Sequence, residues 1–422
     1  MNKKRVVIIG AGIAGISVAY FLNMAGRDVT ILDKTSGSDN CSYGNAGMIV
    51  PSHIIPLASP GMIAKGLKWM LNPESPFYIR PRFSTDLFRW GWLFYQASTK
   101  THVKNSAPVL KKLLMTSREL LIQIEEDESL EFGYVKNGLF MFCNSQKGLA
   151  EESRVAEMAN RLGMAAEVLT AQEVEAMEPA LKMDILGATY YPQDAHLHPG
   201  WLMDGLKNAL SDKGVRFEFN TEIKRFQVQN QRIISAIDSD GKNWGGTEFV
   251  ISSGVWSSTL ANTIGIQCPM QAGKGYSISL DQPNRMRQRP RHCGIFAEEK
   301  VTMTPMENSL RFGGTMEITG NDNRLNPKKI KGLKKSVCRY MPEFKPEDLE
   351  GYDIWRGLRP CSPDGMPYAG SFKDFENLYT STGHAMMGMS LAPSCGKLVA
   401  DLITQGGSDL QHPLIDPNRY QR

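Results

Sequence analysis

VVIIGAGIAG, residues 6–15, stands directly behind the basic opening MNKKR, and from Val6 to Leu22 only Ser17 is polar. Three readings compete: a secretion signal, a membrane anchor, or the floor of a nucleotide site. A signal peptide ends in a small-x-small cleavage site, but FLNMAGRDV follows and a second apolar segment, VTILD, comes at once. As an anchor, 17 residues with three glycines sit at the short edge of what spans a bilayer. Neither explains where the glycines fall. A nucleotide site does: residues 6–9 suit a buried parallel strand, and Gly10, Gly12 and Gly15 then give G-x-G-x-x-G. The first glycine permits the tight turn, the second lets a pyrophosphate approach the backbone, and the third lets a helix lie close on the strand. The pattern predicts a helix over 13–25, its positive end toward phosphates, stopped by Gly26 and followed by a strand over 29–32. Asp33, 18 residues after Gly15, is placed to accept hydrogen bonds from ribose hydroxyls. This unit alone leaves NAD and FAD open.

The remaining chain narrows the choice. The 422 residues allow a large core in two domains or one bilobed unit. A net charge of +4 with no long basic block gives nucleic-acid binding little support. Seven scattered cysteines, never spaced C-x-x-C, argue against a disulfide framework or structural zinc and fit a reducing compartment. His196 and His198 bracket a helix start and have no third ligand of matching spacing, so we read them as structural or site-lining, with no metal.

CSYGNAGMIVPSH, residues 41–53, is rich in small residues that could lie against a ring system. Residues 69–95 hold nine aromatics among 27, interleaved with arginines. Their Pro and Gly positions interrupt any clean amphipathic helix, which favours a packed lid or subdomain surface over a peripheral membrane contact. Helices are expected over 108–127 and 147–163, a strand over 134–142, and a strand-pair edge at ILGATYYP. A helix opens at Pro199 and closes at Gly214. FVISSGVW ends in small residues that let a strand end approach the dinucleotide, and residues 271–318 read as a β-rich second lobe. The chain then returns to α/β character: a strand, a Gly-rich turn at 383–388, and a helix over about 392–403. A flavin buried between the first strand and a returning C-terminal segment needs such an ending.

VVIIGAGIAG with LDK, YGNAGMIVPSH, PQDAHLHP, FVISSGVWS, KGYSISL, RFGGTMEITG, WRGLRPCSPDGMPYAG and GHAMMGMSLAPSCGKLVADLI occur in this order. Together they resemble the D-amino-acid oxidase/glycine oxidase superfamily of FAD enzymes, most of all its bacterial D-amino-acid dehydrogenases, over nearly the whole chain. The resemblance implies an α/β fold with an α+β second lobe: a Rossmann-type FAD-binding domain and a mixed-sheet substrate domain. The expected FAD domain is discontinuous (1–55, 195–265 and 350–422), with 56–194 and 266–349 forming the substrate domain. The implied reaction is oxidative deamination of a D-amino acid, extending to D-proline or hydroxy-D-proline-like substrates, by hydride transfer from Cα to flavin N5. Electrons then pass to a quinone or carrier protein. The alternatives are a glycine or sarcosine-type oxidase using oxygen and a flavin-binding electron-relay subunit. The expected location is cytoplasmic, or peripheral on the cytoplasmic face of the inner membrane.

For FAD we single out Gly10, Ala11, Gly12, Ile13, Ala14, Gly15, Asp33 and Lys34 from the first unit, and Ser42, Asn45, Ala46 and Gly47 from the small-residue loop. Ser253, Gly254 and Trp256 join them, as do Gly383, His384, Gly388 and Ser390 of the C-terminal turn. Cys361 and Cys395 are paper candidates for a covalent link; non-covalent binding is the expectation. Arg359 in WRGLRP matches the position of the family's carboxylate-gripping arginine, and a planar guanidinium suits that task. Tyr276 could place its hydroxyl on the substrate carboxylate or amine, or be a core tyrosine. His53 is a candidate for the flavin edge or substrate pocket. His384 shapes the turn rather than doing acid–base work. No strong general base is required, because the cofactor carries the redox chemistry.

Overall fold

A computed structural model describes residues 4–281 and 289–421; of the two stretches expected to set side-chain preference, 54–95 and 285–300, part of the second lies outside them. The opening unit forms as its residues dictate. Strand Arg5–Ile9 leads into helix Ile13–Met24 and back to strand Asp28–Leu32, paired in parallel with the first. These strands centre a six-stranded sheet in the order Tyr368–Ser371, Leu378–Thr382, Glu248–Ile251, Arg5–Ile9, Asp28–Leu32, Arg216–Glu218. Only the edge strand Tyr368–Ser371 runs antiparallel. The near-continuous apolar strands suit a parallel sheet covered on both faces.

One face carries helix Ile13–Met24 with the C-terminal helix Gly388–Gln405 lying across it. The crossing is close: a Cβ on Gly396 would lie 2.7 Å from the backbone carbon of Ser17. The 28-residue helix Lys100–Asp127 packs outside these two, and Ser117 Oγ accepts from the backbone N–H of Ser394, just past Pro393. A three-stranded antiparallel meander, Ile223–Gln229, Arg232–Asp238 and Asn243–Gly245, covers the other face. Fully buried Leu22, Leu391 and Leu398 each contribute roughly 1.5–3 kcal/mol of burial.

The second large sheet is mixed. Its order is Ile354–Cys361, Gln271–Asp281, Ser309–Ile318, Val301–Met306, Cys293–Phe296, Leu139–Cys143, Gly187–Tyr191, Glu167–Thr170, with Phe77–Ile79 beside Ser309–Ile318. Helix Pro327–Tyr340 closes an apolar core against it. A two-stranded ladder, Met48–Ile49 with Ala195–His196, lies between the sheets in sequence and in space.

Several expectations change. The strand placed at 134–142 begins only at Leu139, because Gly138 turns at φ +79° and its missing side chain leaves room for the Tyr190 ring. ILGATYYP is an interior strand, flanked on both sides. The C-terminal helix starts at Gly388 rather than near 392, since Pro393 sits inside it. The helix expected over 108–127 starts at Lys100, again with a proline inside. The segment 350–422 does not belong wholly to the dinucleotide sheet: Ile354–Cys361 pairs with Gln271–Asp281 along eight residues.

Gly396→Val tests the helix crossing. The added carbons meet backbone on the facing helix, an overpacking strain of about 1–3 kcal/mol. Thermal denaturation should show a Tm several degrees lower than wild type; an unchanged Tm would mean that the helices can part there.

Candidate active site

A cavity of about 1460 Å³ runs from the ends of the central parallel strands to the concave face of the mixed sheet. Typical small-molecule pockets occupy roughly 300–1,000 Å³, so this one has room for a dinucleotide and a second molecule. All the residues singled out for a dinucleotide border it except Ala11, Gly15, Gly47 and Gly383. Those four act one layer back. Ala11 N–H donates to Asp33 Oδ2 at 2.6 Å. A Cβ on Gly15 would lie 1.9 Å from the Gly10 carbonyl oxygen, so only glycine lets the helix sit there. Gly47 (φ +73°) and Gly383 (φ +75°) turn where a side chain would strike Leu197 or Tyr368.

At the end nearest the first strand, Asp33 is buried and its carboxylate already accepts from Ala11 N–H and from the Thr35 N–H and hydroxyl. It therefore holds the glycine turn as well as facing the cavity. Ser42 Oγ accepts the first free N–H of the glycine helix, from Ile13, at 3.0 Å. Lys34 stacks its ammonium over the Trp256 ring at 3.3 Å, and burial pushes its pKa down. Sequence reasoning missed Glu222 and Lys224, which border the same end. They follow strand Arg216–Glu218, whose place beside Asp28–Leu32 no local pattern announces.

At the other end stands Arg359, on the strand Ile354–Cys361. Its guanidinium donates to the Thr315 carbonyl oxygen, and a Cβ on Gly275 would lie 2.1 Å from it. Gly275 is therefore the space into which the guanidinium fits. Burial lowers the Arg359 pKa, and no carboxylate pairs with it among the described residues. His53 borders the cavity as well, and burial, with the Lys300 charge adding to it, pushes its pKa down to about 4, so it stands neutral. His384 is likewise held neutral at about 4 by burial.

Tyr276 does not take the part expected of its hydroxyl. Although the residue borders the cavity, its hydroxyl donates to Glu317 Oε1 at 2.5 Å and accepts from Asn326 N–H. Glu317 lies beside buried Lys274 at 3.8 Å, so the tyrosine belongs to a polar cluster behind the sheet. On the alternating strand Gln271–Asp281, Gly273, Gly275 and Ser277 form the other face. Ser390 Oγ accepts from Val50 N–H and donates to the Met48 carbonyl, pinning the small-residue segment to the C-terminal helix. Arg311, unforeseen, donates to the carbonyl oxygens of Tyr43 and Asn45 and fixes that loop from the mixed sheet. His196 lies buried in the two-stranded ladder, and His198 caps helix Pro199–Asp212 by accepting from Trp201 N–H.

The residues fit FAD. Ser252 Oγ and His384 Nε2 are buried, border the cavity and have no partner among the described residues. Buried polar groups left so normally meet a ligand or water. Two helix N-termini, at Ile13 and Gly388, also meet this space. Ser252 and the glycine turn would hold the diphosphate and ribose side, and His384 with the turn 383–388 the ring side.

Comparison with known proteins agrees with this geometry. The family described as FAD dependent oxidoreductase matches residues 5–402. A D-amino acid dehydrogenase of Granulibacter bethesdensis is 30% identical over 99% of both chains. One of Neisseria meningitidis is 29% identical over 99% of this chain and all of its own. The glycine oxidase of Geobacillus kaustophilus shares the fold, with a TM-score of 0.79 at 22% identity over 99% of this chain and 100% of that one.

Asp33→Ala removes an acceptor that the turn uses and that a ribose would use. At roughly 1.5–3 kcal/mol per charged hydrogen bond, FAD retention should weaken at least about tenfold, measured by flavin release on dilution. Unchanged retention would leave Asp33 with only its turn-holding part.

Proposed function

The chain belongs to the family of FAD-dependent oxidoreductases, and from that premise we propose that it dehydrogenates D-amino acids, passing electrons to a quinone or carrier protein. One observation carries the substrate reading: Arg359, an enclosed guanidinium without a carboxylate partner among the described residues, borders the cavity. A buried unpaired charge costs several kcal/mol unless a ligand compensates it. A substrate carboxylate does so with two parallel hydrogen bonds, which also fixes its orientation. The relatives named D-amino acid dehydrogenase support the choice of amino acid. Bound FAD supplies the two-electron acceptor. The chain supplies position: Arg359 holds the carboxylate, and Gly275 leaves the room in which its guanidinium lies against the sheet. On this reading the six-stranded sheet serves as the FAD-binding domain and the mixed sheet as the substrate domain.

The acceptor reading is supported by the surface at the cavity mouth. Helix Thr85–Ala97 is apolar on two faces: Leu87, Trp90 and Phe94 pack inward, while Phe88, Trp92 and Tyr95 are exposed. Leu67 and Leu71 around the end of helix Met62–Met70 are exposed nearby, with Lys65 and Lys68 beside them. Ile63, Leu67 and Tyr95 also border the cavity. Such a patch, with Lys68 at its edge and Lys65 paired with Glu151, suits the interfacial layer of a bilayer. No helix among the described residues is long and apolar enough to cross a membrane, so the contact proposed is peripheral.

Anaerobic addition of a D-amino-acid panel should bleach the bound flavin. Arg359→Leu should keep its flavin and need at least about thirtyfold more substrate, the equivalent of losing about 2 kcal/mol of charge-paired binding. Bleaching by no amino acid would end the reading, and flavin loss in the variant would misplace the arginine. Replacing Trp92 and Phe88 by aspartate should reduce sedimentation with anionic vesicles and slow quinone-linked turnover, with dye-linked turnover unchanged. Equal vesicle binding by the wild type and the variant would remove the membrane contact.

A further inference from the structure

The ladder Met48–Ile49 with Ala195–His196 brings Ser52, just past one strand, against Asp194, just before the other. Asp194 is fully buried and Ser52 nearly so. Ser52 N–H donates to Asp194 Oδ1 at 3.0 Å, and Ser52 Oγ–H donates to Oδ2 at 2.5 Å. Ser52 Oγ also lies 3.2 Å from His53 Nδ1, and His53 borders the cavity. Asp194 forms no ion pair among the described residues: nearby Arg118 donates to the Gln193 carbonyl instead. A wholly buried carboxyl linked only through a serine to a cavity histidine is a poor device for stability, since burial disfavours its charge.

With Asp194 ionised, hydrogen counting fixes the direction of the chain. A serine hydroxyl has one hydrogen. With that hydrogen on Asp194, His53 Nδ1 must donate to Ser52 Oγ, which leaves Nε2 with a lone pair. Nε2 has no hydrogen-bond partner among the described residues.

We infer that His53, Ser52 and Asp194 form a proton relay that withdraws the ammonium proton of a bound amino acid from the cavity. This inference rests on the amino-acid reading above. An amino acid arrives with a protonated amine, and its Cα hydrogen cannot leave as hydride until the nitrogen lone pair is free. In the relay the substrate N–H bond breaks as His53 Nε2–H forms. His53 Nδ1–H passes to Ser52 Oγ, and Ser52 Oγ–H passes to Asp194 Oδ2. One proton moves, no electrons do, and every hydrogen bond reverses its direction in place. The acidities suit these parts. Burial holds His53 near 4, so the imidazole passes the proton without keeping it. Burial raises Asp194 to about 7, so the carboxylate can keep it. Lys300 faces His53; Arg118, Tyr134, Tyr190, Tyr191 and Cys293 surround Asp194. Burial raises those tyrosines and that cysteine above their ordinary values, so none of them titrates through neutrality. His53 is the catalytic residue here; Ser52 and Asp194 act through it.

The sign follows. Above pH of about 7 Asp194 is ionised and can receive the proton, and below that it is already protonated and the relay is shut. Anaerobic flavin reduction by the wild type should therefore rise through neutral pH. Ser52→Ala and Asp194→Asn should be slower at neutral pH by roughly a hundredfold. They should recover only where the substrate amine loses its own proton, well above neutrality, because the amine of a free amino acid is more basic than a chain's N-terminal amine. Ser52→Thr, which keeps the hydroxyl, should restore the wild-type profile. A second readout needs no turnover. Infrared difference spectra on binding an α-methyl amino acid, which has no Cα hydrogen, should show a protonated carboxyl band in the wild type and Ser52→Thr. The band should be absent in Ser52→Ala and Asp194→Asn, and absent when a carboxylate lacking the amine binds. If the wild type is reduced by amino acids yet Ser52→Ala keeps both profile and band, the relay is overturned and the amino-acid reading stands. If no amino acid reduces the wild type, the earlier reading is what fails.

Discussion

Gly10 turns at φ +114°, where a Cβ would lie 2.4 Å from the carbonyl oxygen of Ser252, and the Gly10 carbonyl in turn lies where a Cβ of Gly15 would go. Two strands and a helix therefore meet with only hydrogen atoms between their backbones. That close approach aims the helix N-terminus along the strand ends. It also brings the orphaned Ser252 hydroxyl to the cavity wall. The same constraint recurs one layer out, where Gly396 lets the C-terminal helix cross the first one at Ser17 and so delivers the turn 383–388. Without these contacts the cavity would have neither its floor nor its far rim.

The two large sheets are joined at this rim. Strand Ile354–Cys361 belongs to the mixed sheet, yet its end bridges from Cys361 to His384, and Ala385 N–H donates to the Pro360 carbonyl at 3.0 Å. The strand that carries Arg359 and the turn that carries His384 are thus tied by backbone hydrogen bonds. On the proposed reading, a substrate gripped by one would be registered against whatever the other holds, which is the kind of positioning that turns binding into rate. Arg311 makes a matching tie, holding the small-residue loop to the mixed sheet through two carbonyl oxygens.

Legibility in the sequence followed locality. Strand, glycines, helix, strand and Asp33 lie within 33 residues, and each cue acts on its neighbours. Of the two readings open for Tyr276, the core one describes its hydroxyl, and the sequence could not choose because its partner Glu317 is 41 residues away. The C-terminal helix was begun too late because a proline suggests a first turn, whereas Pro393 is tolerated deeper, with Ser117 taking up the next N–H. Prolines and glycines likewise argued against amphipathic helices in 69–95, yet helix Thr85–Ala97 forms, with Gly91 inside it. Asp194 could not be foreseen as a partner of Ser52, since a ladder between distant segments creates their contact.

The electrostatics of the cavity explain why so enclosed a site can carry Arg359 at all. An isolated buried guanidinium is costly, and here it donates to the Thr315 carbonyl while its remaining donors stay available. Thr315 itself turns at φ +71°, an uncommon conformation for a threonine, where the strand Ser309–Ile318 bulges against its neighbour. The backbone is thus bent to present an oxygen to the arginine, and the orientation of the guanidinium is settled before any ligand arrives. The imidazoles sharing the wall, His53 and His384, are kept neutral by their burial. Of the groups lining the cavity, Arg359 thus keeps its charge with donors to spare, while the two imidazoles add hydrogen-bonding groups without adding charge.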